Sequence, residues 1–298
     1  MAERVHKFLT KDYLVRASVV KCTGLISEVQ QTTQNGALAS VALGRALVGT
    51  ILMSANLKEQ TQLGVYFRGN GPLGVVYAEA SYEGICRGYV KNPQVRLDLL
   101  PGNRLNIPAA IGSGFIEVVR TEPYFRQSHT GRVEIVSGEI GSDLGHYMHT
   151  SHQIPSVIGL TTEIHADGSI AAAGGFLLEL MPGSDEDLLK KIESAYNDNV
   201  SLTGLILQNA SEEKIISEFF PGLEFIEIAH RFELKYQCKC SVDRIKNALL
   251  LLSHAELMEV LNRPGPVEVT CDFCNKKFAL TADEVQELQK RSYRNSLN

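Results

Sequence analysis

Along segment 1–180, short apolar runs alternate with glycine-rich turns. Segments 63–68, 75–80, 115–120, 132–137, 161–165 and 169–172 are short and β-rich, and each reads as a strand. Asp167-Gly168 between the last two is a strong hairpin signal. Segment 37–57 breaks this rhythm. It is 21 residues long and carries one charge, Arg45. A membrane span needs about 20 apolar residues, so the segment meets the length criterion. Ser40, Gly44, Gly49, Thr50, Ser54 and Asn56 weaken that reading, and the expectation is a buried helix packed on the sheets. No fixed repeat runs through the chain.

The pattern changes at Met181-Pro182-Gly183. Ser184 is expected to cap a helix with Leu188, Leu189, Ile192, Ala195 and Tyr196 on one face. Ser211 is expected to cap a second, carrying Ile215, Ile216, Phe219 and Phe220 and stopped by Pro221-Gly222. Segment 184–237 holds 11 acidic and five basic side chains, so its net charge of −6 accounts for the whole chain's −5. Short helices owe their stability mainly to packing. The segment is therefore either an ordinary linker lying on the core or a conditionally folded one.

From Phe232 onward, Phe232, Leu234, Tyr236 and Cys238 alternate as a strand. Ser241 caps a helix with Val242, Ile245, Leu249 and Leu252 on its apolar face. Ser253-x-x-Glu256 forms a capping box for another, which Pro264-Gly265-Pro266 ends. Strands follow at Val267–Thr270 and Lys277–Leu280, and Thr281-x-x-Glu284 opens a last helix. The expected class is α+β: a mixed sheet and helix core over 1–180, a helical linker over 181–231, and a small domain over 232–298.

Of six cysteines, four sit in the last quarter: Cys238-Lys239-Cys240 and, after a long gap, Cys271-Asp272-Phe273-Cys274. Tight turns aim both sulfurs of each pair the same way. Two pairs supply the four thiolates of a closed tetrahedral zinc site, and soft sulfur donors select against Mg²⁺ and Ca²⁺. One Zn²⁺ held by Cys238, Cys240, Cys271 and Cys274 is the expected metal; an iron–sulfur cluster and unligated thiols are the other readings.

Segment 238–298 is of marginal length for an apolar core alone. A structural zinc ion contributes about 10–16 kcal/mol of apparent binding energy. Thiolates are oxidised to sulfenic acid and then disulfide. Disulfides within each pair would close rings of a few residues, which restore little stability. Oxidation would then eject the metal and melt the domain. Most tetrathiolate zinc sites are purely structural, so spacing alone leaves both readings open.

Composition narrows the function classes. Apolar residues are 44% and charged residues 21% of 298, the balance of a folded globular chain. The net charge of −5 gives no global basic field for nucleic acid. Six cysteines in this length do not make a secreted disulfide scaffold, and the N-terminus lacks a secretory pattern. The expected location is the reducing cytoplasm.

The residues then carry a resemblance. Cys238-x-Cys240-Ser241 with Arg244, Cys271-x-Phe273-Cys274, the stretch from Arg68 to Gly74, Arg87-Gly-Tyr-Val90, and Ala172-Ala-Gly-Gly-Phe-Leu177 leading to Met181-Pro182 are together similar to the heat-shock protein 33 family of bacterial redox-regulated holdase chaperones. The match runs nearly end to end. Two positions depart from the family pattern: Ser151-His152-Gln153 stands for Ser-Glu-Gln, and Asp243 for Glu. Neither touches a proposed ligand.

The resemblance implies a non-enzymatic protein that is an inactive monomer when reduced and zinc-loaded. Peroxide with heat, or hypochlorous acid, would form Cys238–Cys240 and Cys271–Cys274 disulfides and release zinc. The C-terminal domain and linker would unfold. The protein would dimerise and hold unfolding client proteins without ATP. No nucleic-acid or membrane partner is implied. Opening the linker would expose apolar surface while its dense negative charge preserves solubility.

Weaker signals lead elsewhere. Gly69-Asn70-Gly71-Pro72-Leu73-Gly74 satisfies G-x-G-x-x-G, but strand-like Val75-Val76-Tyr77 follows where a dinucleotide site needs a helix. A hairpin turn is expected there. On a helix His146, His149 and His152 would spread over about 120°, a poor metal cage. Cys22 and Cys86 lie in β-rich apolar contexts and are expected to be buried, inert thiols. Two competing functions remain. A zinc-ribbon nucleic-acid module would use Lys276, Lys277, Lys290, Arg291 and Arg294, but no aromatic stacking series accompanies them. A thiol–disulfide oxidoreductase would use Cys271-x-x-Cys274, but that motif should cap a helix, and strands flank it here.

Overall fold

The computed structural model describes residues 2–122, 128–184, 186–230, 232–262 and 267–296. The expected break at Pro264-Gly265-Pro266 lies outside them. Two units divide at 237/238, Met1–Gln237 and Cys238–Asn298.

The first unit is built on two sheets. In chain order its strands are β1 (Val5–Thr10), β2 (Val15–Lys21), β3 (Gln62–Gly69), β4 (Val75–Ser81), β5 (Ile85–Val90), β6 (Gly114–Thr121), β7 (His129–Glu134), β8 (Ser156–Ile164), β9 (Ile170–Leu180), β10 (Phe225–His230) and β11 (Lys235–Tyr236). One sheet runs β10-β1-β2-β9-β8, antiparallel throughout. The other runs β11-β5-β4-β3-β6-β7, and only β11 is parallel to its neighbour. The helices of this unit are α1 (Thr23–Thr33), α2 (Ala37–Ser54), α3 (Ile107–Ile111), α4 (Ile140–His152), α5 (Glu186–Ala195), α6 (Leu202–Leu207) and α7 (Glu212–Phe219).

The long apolar segment is α2, which packs on β3, β4 and β5 of one sheet and on β2, β8 and β9 of the other. It is long and apolar enough to cross a membrane, but it is buried inside the fold. All its residues except Ala37 and Arg45 are fully buried, which explains a helix apolar on every side. Two glycines permit the close approach: a Cβ at Gly44 would lie 2.6 Å from Thr162 on β8, and one at Gly49 would lie 2.3 Å from Leu144 on α4. The half-buried Arg45 is held by Glu139, Nη1 to Oε2 at 3.0 Å.

The acidic stretch packs as part of this unit. Ile192 of α5, Leu202 and Ile206 of α6, Ile215, Ile216 and Phe219 of α7, and Phe220 bury against Phe8, Val15, Val19, Phe176 and Leu178. The ring of Phe176 meets those of Phe219 and Phe220 at 4.6 and 5.8 Å. Each such side chain contributes roughly 1.5–3 kcal/mol when fully buried. Ser211 caps α7 as expected, accepting from the Lys214 N–H at 3.2 Å. Helix α5 starts at Glu186, two positions beyond Ser184. Four helices had no expectation: α1, α3 and α4 and, within this stretch, α6, capped by Ser201.

Several strands differ from their expected bounds. Strand β9 extends to Leu180 because helices cover both faces of its sheet, so its sequence is a continuous apolar run without alternation. Strand β7 ends at Glu134, three positions early. Asp143 Oδ1 captures the N–H groups of Val136 and Ser137 at 3.0 and 2.8 Å and draws the chain away from the sheet. The strand expected from Phe232 shrinks to Lys235–Tyr236, since the Leu234 N–H turns to the Glu3 carbonyl at 2.9 Å. Strands β1, β2, β5 and β10 had no expectation, and β10 lies inside the expected linker. The 69–74 loop is the β3–β4 hairpin connection, and Asp167-Gly168 turns between β8 and β9 with Gly168 at φ +87°.

The second unit comprises α8 (Val242–Leu249), α9 (His254–Leu261), β12 (Val267–Thr270), β13 (Lys277–Leu280) and α10 (Ala282–Ser296). All three helices start where the capping residues place them. Ser241 accepts from the Arg244 N–H at 3.2 Å, Ser253 and Glu256 form a reciprocal box, and Thr281 and Glu284 exchange bonds of 2.9 and 3.3 Å. Among the described residues the apolar cluster of this unit buries Leu257, Leu261, Val267, Leu280 and Leu288, and Phe278 and Cys271 are buried as well.

Candidate metal centre

The site is assembled from two loops of the second unit. Cys238 and Cys240 lie immediately before the Ser241 cap of α8. Cys271 and Cys274 occupy the turn joining β12 to β13, whose last rung pairs Thr270 with Lys277. That turn folds back on itself: the Cys271 N–H donates to the Lys276 carbonyl at 3.0 Å, and the Cys271 carbonyl accepts from Asn275 at 2.8 Å and Cys274 at 3.3 Å. Asn275 takes the left-handed φ of +54° that the turn requires.

All four sulfurs lie within 4.8 Å of one another. Cys238 Sγ is 3.6 Å from Cys271 Sγ, and Cys240 Sγ is 3.5 Å from Cys274 Sγ. Four sulfurs about 2.3 Å from a central zinc ion have tetrahedral edges of about 3.8 Å. The quartet therefore has the dimensions of a four-sulfur metal site, and its four protein donors leave no open position for substrate. Cys271 is buried and the other three are half-buried.

Burial pushes the Cys238 and Cys240 thiols up. Burial acts the same way on Cys274, but the hydrogen bond from the Lys276 backbone and bonds among the sulfurs hold it below its ordinary value. A divalent cation would reverse the upward pressure and keep all four as thiolates. Around the site, Lys246 of α8, its side chain largely shielded, reaches Glu284 at 3.1 Å and Glu287 at 3.4 Å on α10. This tether carried no sequence signal, because pairing between helices far apart in the chain leaves no local pattern.

The remaining thiols and imidazoles stand apart. Cys22 and Cys86 are fully buried in the first unit. Burial raises both thiols, Cys86 to about 12. His152 faces a different cavity from His146 and His149, and its ring lies 5.1 Å from that of Tyr147. Among the described residues no metal-type cluster forms around these histidines.

A family model described as Hsp33 protein matches residues 3–281. The chain belongs to the Hsp33 family. It is 39% identical over 269 residues to the 33 kDa chaperonin of Desulfotalea psychrophila, covering 90% of this chain and 91% of that one. It is 35% identical over 289 residues to the 33 kDa chaperonin of Bacillus subtilis, covering 97% and 98%. The crystal structure of the 33 kDa chaperonin from Thermotoga maritima superposes with a TM-score of 0.85 at 30% identity, over 99% of this chain and 100% of that one. The architecture described above is thus that of an Hsp33 protein.

Proposed function

We propose that this chain is a redox-regulated, ATP-independent holdase chaperone of the reducing cytoplasm, acting by binding rather than by turnover. The observation that carries the reading is a sulfur quartet, all within 4.8 Å, in a unit whose main apolar cluster among the described residues buries only five side chains. The names of the relatives, 33 kDa chaperonins, support the chaperone part.

In the reduced form Cys238, Cys240, Cys271 and Cys274 would hold one zinc ion. The ion supplies charge neutralisation and a cross-link between the two loops. Hydrogen peroxide or hypochlorous acid would oxidise Cys238 with Cys240 and Cys271 with Cys274. With peroxide, each disulfide consumes two thiols and one oxidant molecule, which leaves as two waters. Neither small ring joins 238–240 to 271–274, so the second unit loses its cross-link and opens. Cys238 directly follows Gln237, so melting propagates into 181–237. The faces of α5, α6 and α7, and the apolar face of the sheet beneath them, become available to unfolding client proteins. Dimerisation of the oxidised form belongs to the same reading, and neither nucleic acid nor a membrane has a part in it.

Light scattering from a heat-aggregating enzyme tests this. Protein oxidised by peroxide at raised temperature should suppress aggregation, and reduced zinc-loaded protein should not. Equal suppression by both forms would remove the redox gate.

A further inference from the structure

Segment 225–236 supplies the terminal strand of both sheets: β10 lies along β1 in one, and β11 along β5 in the other. Strand β10 pairs over five rungs, from His6↔His230 to Thr10↔Phe225. It is poorly buried for a strand with so many pairs. Ile226 and Ile228 are 48% and 47% exposed, Glu227 and Ala229 are also exposed, and Phe225 is half-buried. Backbone hydrogen bonds hold it, with a hydrogen bond between His6 Nδ1 and Glu227 Oε1 at 2.7 Å and, just before the strand, an ion pair of Glu224 with Lys11. Strand β1 is different. Its Val5 and Phe8 are buried, and its other edge is fixed by β2 from Val5↔Val20 to Leu9↔Arg16.

We infer that the β1 edge is a strand-docking site for extended, acidic-apolar segments of unfolding proteins, and that β10 is the chain's own placeholder on it. This rests on the proposed opening of 181–237. When that segment melts, β1 stays in its sheet and presents a preformed row of unpaired N–H and C=O groups. Main-chain pairing gives affinity without demanding a particular side chain, which suits the holding of unfolding chains of unrelated sequence. Lys11 and His6, released from Glu224 and Glu227, favour segments that carry acidic residues near the apolar ones.

Two measurements on the full chain test this. The first probe is a fluorescent peptide with the sequence of residues 223–230, and a control peptide in which the positions of Ile226 and Ile228 are proline, which cannot donate to a ladder. The peptide should bind the peroxide-oxidised chain at least tenfold more tightly than the reduced zinc-loaded chain, and the proline control should lose that binding. The second is hydrogen exchange at the β1 amides. These should lose protection on oxidation and regain it when a thermally unfolding enzyme is added. If the oxidised chain suppresses aggregation but the β1 amides stay unprotected with client, or the proline control binds equally, strand docking is overturned and the functional reading stands. If the oxidised chain does not suppress aggregation at all, both fall.

Discussion

Arg16 on β2 and Glu179 on β9 form one rung of their sheet, with Arg16 Nη2 and Nε at 3.0 and 3.1 Å from Glu179 Oε2. Asn56 donates to the same oxygen at 2.8 Å. Glu179 is 3% exposed. Burial pushes its carboxyl above the usual carboxylate range, against the pull of the Arg16 charge and hydrogen bond. Removing one partner of a buried pair costs about 3–5 kcal/mol, so Arg16→Met should destabilise the first unit by that amount at pH 7. A raised folded pKa means the folded state holds its proton more tightly than the unfolded chain. The group's contribution is therefore complete below the unfolded pKa of about 4.3 and lost as pH rises through the folded value. The penalty of Arg16→Met should accordingly shrink as the pH is lowered from 7 to 5, because the raised carboxyl is more readily protonated there than an exposed one. Urea unfolding at the two pH values checks this, and a larger penalty at pH 5 would contradict it.

Phe220 is fully buried at the end of α7, 5.8 Å from the Phe176 ring and 5.6 Å from that of Tyr196. Phe→Ala in such a position costs about 3–5 kcal/mol, here concentrated on three short helices. Phe220→Ala should loosen 181–231 while leaving the sulfur quartet untouched. The reduced variant is expected to retain one zinc per chain, to be cleaved by protease within the acidic stretch, and to suppress client aggregation without oxidant. Cleavage without suppression would show that the surface under these helices does not hold clients.

Leu288 of α10 is fully buried within the second unit's small core. Leu288→Ala should cost about 2–5 kcal/mol. For a unit of this size that corresponds to a fall of the order of 10 °C in melting temperature. Zinc release under peroxide, followed with a chromogenic chelator, should begin at correspondingly lower temperature. An unchanged release profile would mean that this core does not contribute to holding the metal loops in place.

Local chemistry was legible in the sequence and long-range pairing was not. Ser211, Ser241, Ser253 and Thr281 cap their helices because a cap is settled within one turn of chain. Strands β12 and β13 fall at the expected residues because a short hairpin carries its own turn. The quartet was legible as two pairs, each local. Strand β10 shows why the rest was hidden: Phe225-Ile226-Glu227-Ile228 is β-prone, but nothing nearby says that its partner is β1, close to the N-terminus. Asp143 stops β7 through bonds that no strand pattern records. The burial of β9 on both faces erased the alternation by which strands are recognised.

The metal reading makes the sharpest demand on Cys240. It lies 3.5 Å from Cys274, and through the quartet its loop, just before α8, meets the β12–β13 turn. Cys240→Ser exchanges a soft thiolate donor for a hydroxyl that stays protonated at neutral pH, leaving three sulfurs. If a structural zinc ion supplies about 10–16 kcal/mol to this unit, the few buried side chains of its core cannot replace it. The reduced variant should bind less than one zinc per chain, lose amide dispersion across 238–298 and become protease-sensitive there, while β1 to β9 keep their signals. Wild-type protein stripped by a chelator under reducing conditions should give the same spectrum, because both treatments remove the same cross-link by different routes. A dispersed, protease-resistant second unit in either sample would show that the metal is not what folds it.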